Sequence, residues 1–133
     1  MLNKIQFGAR IVLGLIYFAF GGMGLGMALG LWHMPFPPLP EAAENFMKGI
    51  MGTGYFLLML KITETSCGFL LLSGIAAPLA LIVIAPVTLN IFMFHTFLTP
   101  GLNNLVLPLI MVASQILAMS GYWKLYKPLF GKK

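Results

Sequence analysis
Five polar side chains stand inside runs that are otherwise apolar: Lys61 and Glu64 in one, Asn90 and His95 in the next, and Gln115 in the last. A charged group at mid-bilayer costs about 2.5–3.5 kcal/mol on insertion scales, so it requires a partner, water or a ligand. Glu64 ranks first as a ligand-binding or proton-relay residue, because an intramembrane carboxyl is a site candidate by default. Lys61 offers it a counter-charge, or else snorkels toward the interface. Asn90, Gln115 and the nearby Thr63, Thr65, Thr88 and Ser114 read first as interhelical hydrogen bonds that fix register, worth about 1 kcal/mol or less apiece. His95 is either the mouth of a site or an interfacial ring.

Metal and thiol chemistry are poorly served. His33 and His95 are the only histidines, no HxxH or HxxE spacing occurs, and Cys67 is the only cysteine. A metal site is not expected, and neither an intrachain disulfide nor a CxxC pair can form. Ten methionines read as packing rather than as ligands.

The elements that must hold these groups follow from composition. Of 133 residues, 59% are hydrophobic and 8% charged, and no Asp, Glu, Lys or Arg occurs from Thr65 to Trp123. A soluble domain carries about a quarter charged residues, so this is one integral membrane domain over residues 1–133. The net charge of +5 lies mainly at the chain ends. That pattern reflects membrane orientation, and a nucleic-acid partner is not expected.

An all-α antiparallel bundle of four transmembrane helices is expected, with spans at about 10–31, 55–73, 79–98 and 104–123. The uncharged run 11–31 is too long for a signal h-region of about 7–15 residues. Gly22, Gly26 and Gly30 recur every four residues, and with Gly21 they are read as close-packing glycines facing a neighbouring helix. The prolines of 34–40 forbid helix. A short amphipathic helix at about 41–51 lies on the outer surface, its apolar side formed by Ala42, Ala43, Phe46, Met47, Ile50 and Met51. Ser73–Ala77 reads as a tight turn, Pro86 as a kink, and Asn103 or Asn104 as the cap of the last span. Residues 127–133 are too few for a domain.

The second span is marginal by itself. Its nine Leu, Ile and Phe residues gain roughly 0.3–0.6 kcal/mol each, while Lys61 and Glu64 together cost about 5–7. It must lean on neighbours. Four spans put both termini on one side with Lys4, Arg10, Lys124, Lys127, Lys132 and Lys133, opposite Lys48, Glu41 and Glu44. The positive-inside rule makes the termini cytoplasmic. At 1.5 Å per residue, Glu64 lies about 15 Å in from the outer end of its helix, Asn90 about 12 Å and Gln115 about 16 Å. A polar layer is therefore expected in which Glu64 bonds Asn90 or Gln115, under a pocket walled by Gly21 and Gly22, with Lys61 and His95 nearer its mouth.

The order E-x3-G-x-LLL-x-G-x3-P-LAL followed by APVTLNIFMFH resembles the DoxX-like family of small four-helix membrane proteins. The likeness spans roughly Arg10 to Trp123 and is sharpest at Glu64, Gly68, Pro78, Pro86, Asn90 and His95. It implies a bacterial inner-membrane bundle, sometimes linked to quinone-dependent oxidoreductases and redox or stress complexes, with no set reaction. The leading expectation is a quinone- or lipid-binding accessory subunit of a membrane redox complex. Its partners would be the bilayer, a redox-complex protein or a second copy of the chain. A ligand-free assembly scaffold and a small proton-coupled transporter are the alternatives.

Overall fold
The structure, a computed structural model, describes residues 2–33, 35 and 37–131. Part of the expected proline segment, at 34 and 36, and the terminal lysines at 132 and 133 lie outside the described residues. Among the described residues six α-helices follow in order: α1 (Lys4–Ala28), α2 (Glu41–Gly52), α3 (Phe56–Ser73), α4 (Ala77–Met93), α5 (Leu102–Ser120) and α6 (Trp123–Phe130). A π-helical turn, Phe94–Leu98, continues α4. No strand occurs among the described residues. α1, α3, α4 with its π-turn, and α5 are each long and apolar enough to cross a membrane.

α1 starts six residues earlier than hydropathy alone predicts. Asn3 and Gln6 form a reciprocal cap: the Gln6 N–H donates to Asn3 Oδ1 at 2.7 Å, and the Asn3 N–H donates to Gln6 Oε1 at 3.1 Å. The helix also stops sooner. Gly30, at φ +78°, takes the left-handed conformation, and the Leu31 N–H reaches back to the Gly26 carbonyl at 2.8 Å. Gly30 is thus a terminator and not part of a packing face.

Burial is inverted relative to a soluble protein. Glu64, Thr88, Ser114 and Gln115 are buried, while Leu15, Phe18, Leu89 and Ile116 face outward. Hydrocarbon tolerates that surface and water does not. The apolar core gathers Leu13 and Tyr17 of α1, Cys67 and Leu71 of α3, and Leu81 and Ile84 of α4.

α1 packs most extensively on α3. At Gly68 an added Cβ would collide with the Phe18 backbone, and at Gly14 it would stand 3.0 Å from Leu71 Cβ. Small residues on both helices bring the backbones together, as van der Waals packing in lipid requires. The α3–α4 turn forms as expected, with Gly74 at φ +83°, Ala76 at φ +51° and Pro78 in the first turn of α4.

Three inter-element bonds gather one end of the bundle. Gln6 Nε2 donates to Ser120 Oγ at 3.1 Å, Arg10 Nη1 to the Tyr122 hydroxyl at 3.1 Å, and the Tyr126 hydroxyl to the Pro78 carbonyl at 2.6 Å. This end holds the start of α1, the α3–α4 turn and α6. The opposite end holds α2, the π-turn and the start of α5.

Two boundaries near the last span differ from expectation. Its cap is Gly101 rather than an asparagine, and Asn104 instead donates to the Thr99 carbonyl at 3.0 Å, closing the preceding loop. The span ends at Ser120, and Trp123–Phe130 turns away as the separate α6, which hydropathy had merged into the aromatic belt.

Candidate functional site
α3 presents Lys61 and Glu64 one turn apart, and the two side chains meet. Lys61 Nζ lies 3.3 Å from Glu64 Oε1, with Glu64 only 4% exposed. Among the described residues this is the carboxylate's only hydrogen-bond partner. Neither Asn90 nor Gln115 bonds it, contrary to the expected cluster. Lys61, three residues away on the same helix, takes that place.

Two glycines of α1 make room for the pair. A Cβ at Gly21 would stand 2.8 Å from Thr65 N and 2.9 Å from Glu64 Cβ. At Gly24 it would stand 2.5 Å from Lys61 Cε and 2.6 Å from its Cδ. Gly21 therefore seats the root of Glu64, and Gly24 the stem of Lys61. Gly22 has nothing within 4 Å of such an atom, so it is not a packing glycine. Gly26 is covered by the Trp32 ring, which folds back to donate its Nε1–H to the Met23 carbonyl at 3.1 Å. Of the four predicted close-packing glycines, only Gly21 meets a neighbouring helix.

A cavity of about 350 Å³ opens beside the ion pair. Lys61 and Glu64 share its wall with Asn90, His95 and the otherwise apolar surfaces of α1, α3 and α5. The α1 wall is Ile16, Tyr17 and Phe20 rather than the Gly21–Gly22 side, because Gly21 is filled by α3. α2 supplies the roof through Phe46, Met47 and Ile50. Phe46 meets Phe94 of the π-turn edge to face, with centroids 5.3 Å apart. Of the six residues expected on its apolar side, Ala43 is buried and Phe46, Met47 and Ile50 are half-buried, while Ala42 and Met51 are exposed.

Asn90 is exposed at the cavity's edge. His95 has a defined tautomer. Its Nδ1 lies 2.8 Å from the Ile91 carbonyl, which only accepts, so Nδ1 carries a proton and Nε2 is left for another partner. The π-turn holding His95 follows Pro86, whose missing N–H leaves the Ile82 carbonyl without its usual donor. π-turns of this kind recur at functional sites.

Gln115 lies outside the cavity, in a separate buried network. Its Nε2 donates to the Leu81 carbonyl at 2.8 Å, which turns Oε1 toward Thr88. Thr88 Oγ1 then donates to Gln115 at 2.9 Å, so the Tyr17 hydroxyl, 2.6 Å from Thr88, is the donor to it. The chain runs Tyr17, Thr88, Gln115, Leu81 and closes on a carbonyl. It joins α1, α4 and α5 behind the cavity wall that Tyr17 forms, and every polar atom in it is matched.

Tyr17, Gly24 and the α2 roof escaped sequence reading. A hydroxyl in mid-run marked Tyr17, but nothing in the spacing separated Gly24 from Gly22. No family model, curated protein or solved structure matches the chain.

Proposed function
We propose that this chain is a bacterial inner-membrane protein, with cytoplasmic termini, that binds a small amphiphile of the quinone or acyl-lipid class. One observation carries the reading: an ion pair lies in the wall of a roofed cavity of about 350 Å³ that is otherwise mainly apolar. Ligand pockets fall between about 300 and 1,000 Å³ and combine apolar walls with a few convergent polar groups. Lys61 Nζ has further N–H groups to donate, Asn90 offers both an acceptor and donors, and His95 leaves Nε2 for a ligand. A carbonyl- or hydroxyl-bearing head suits that set, with its tail along Phe20, Leu57 and Leu107. The resemblance to the DoxX-like family supports an accessory role in a membrane redox complex. The uneven basic charge between the two ends supports the orientation.

The closed Tyr17–Thr88–Gln115 network speaks against the transporter alternative, since it ends on a carbonyl and offers no continuing path to the far end. The binding test uses a reporter in the roof. Phe46→Trp in a Trp32→Phe, Trp123→Phe background should show saturable quenching by a short-tailed quinone, lost when Leu60→Phe narrows the cavity. Quenching unaffected by Leu60→Phe, with neither quinone nor acyl lipid co-purifying, would leave the scaffold alternative.

A further inference from the structure
The chain has three acidic residues, and none stands at the end that carries the start of α1 and α6. Glu44 pairs with Lys48 at 3.0 Å and Glu64 with Lys61, while Glu41 opens α2 at the opposite end. Arg10, Lys4, Lys124 and Lys127 therefore have no side-chain carboxylate to meet. Arg10 is the most telling of them. Its guanidinium lies over the Phe7 ring at 4.8 Å, beside Gly74, and among the described residues makes one hydrogen bond, to the Tyr122 hydroxyl. Its Nε is buried with no partner. The Nε is closed off by protein, but the remaining Nη hydrogens, unpaired among the described residues, can receive an oxyanion.

Tyr122 leads directly into α6, whose residues sort by face. Tyr126 is buried and anchored to Pro78, Leu125, Leu129, Phe130 and Trp123 are exposed, and Lys124 and Lys127 fall on the side away from Tyr126. At 100° per residue the apolar arc flanks Tyr126 on both sides. Such a helix lies in the plane of the interface, its apolar arc at the acyl boundary and its lysines among headgroups. We propose that this end binds an anionic phospholipid, its phosphodiester held by Arg10 and its negative charge matched by Lys124 and Lys127. Charge complementarity selects that occupant: a bilayer's fixed anions are lipid phosphates, and they lie at the depth of Arg10 and α6. The site is independent of the cavity and of which leaflet it faces.

Trp123, next to Lys124, is the reporter. The full chain carrying Trp32→Phe is placed in bilayers of phosphatidylcholine with brominated phosphatidylglycerol, or the reverse. Brominated phosphatidylglycerol should quench Trp123 with a preference of about tenfold, weakened when salt rises from 0.1 to 1 M. Lys124→Gln with Lys127→Gln, both exposed, should bring the preference close to parity, since two basic residues at about fivefold each outweigh it. Arg10→Gln should reduce it where Arg10→Lys retains most of it, while Lys48→Gln changes nothing. Should Arg10→Gln fail to fold, the lysine pair decides. Equal quenching by the two lipids, or a preference untouched by the lysine pair, would overturn the assignment. So would displacement by soluble glycerol phosphate at matched concentration, which marks a free-anion site.

Discussion

Three glycines within one turn of α1 should respond to the same substitution in three different ways. Gly21→Ala places a methyl 2.8 Å from Thr65 N, where ordinary contact begins near 3.4 Å. The obstacle is backbone, so α1 and α3 must part by roughly half an ångström, and overpacking of this kind costs about 1–3 kcal/mol. Gly22→Ala meets nothing within 4 Å. It should gain about 0.5–1 kcal/mol, because glycine inside a helix is that much worse than alanine. At Gly24 the methyl meets the flexible stem of Lys61. The stem can swing aside, so stability falls between the other two, but Nζ is displaced from Glu64. Unfolding in mixed micelles by increasing dodecyl sulfate, followed by helicity, reads all three. Gly21→Ala should lie about 2–3 kcal/mol below Gly22→Ala. If the two unfold alike, the seating of Glu64 against α1 is wrong.

Glu64→Leu should cost about 1–3 kcal/mol more than Glu64→Gln, because Leu leaves the Lys61 ammonium unpaired; adding Lys61→Met should recover most of that in the same unfolding assay. Gln115→Leu removes two interhelical bonds but leaves Thr88 the Ile84 carbonyl and Leu81 its helix donor, so it should cost about 1–2 kcal/mol, whereas loss of Asn90, which has no protein partner among the described residues, should cost little. Burial, with the nearby Tyr122 phenol adding to it, pushes the Tyr126 phenol up to about 12 from 10.0. The folded state thus holds its proton longer, so its contribution is complete below pH 10 and lost between pH 10 and 12; Tyr126→Phe should remove that part of the alkaline loss. Cysteines at Glu41 and Lys127, in a Cys67→Ala background, should react with impermeant reagents from opposite faces of sealed membranes.

The four spans and the α2 helix were legible because hydropathy and amphipathic spacing over a dozen or more residues decide them. The turn at Gly74 was legible too, since its residue types admit little else. Which face each helix turns inward was not. A step of one residue rotates a side chain by about 100°, and a helix apolar all round carries no stripe to fix that rotation. Gly22 was therefore chosen over Gly24, while Gln115, read first as an interhelical bond, does bond Thr88 and Leu81 rather than Glu64. Depth along the axis could be counted, and it brought Glu64, Asn90 and His95 to one cavity. The start of α1 was missed for a different reason: the Asn3–Gln6 cap is a polar, local signal that lies outside the apolar run.

The close fit of α3 against α1 also bears on how the protein is made. α3 carries Lys61 and Glu64 into the bilayer on an apolar gain that barely matches their cost. By the time α3 leaves the ribosome, α1 has already been synthesised, and its seats at Gly21 and Gly24 are ready for the arriving charges. The earlier helix thus serves as a lateral receiver for the later one at the translocon. Insertion of α3 becomes a docking event as much as a partitioning event, and a block at Gly21 would first be felt as a failure of biogenesis.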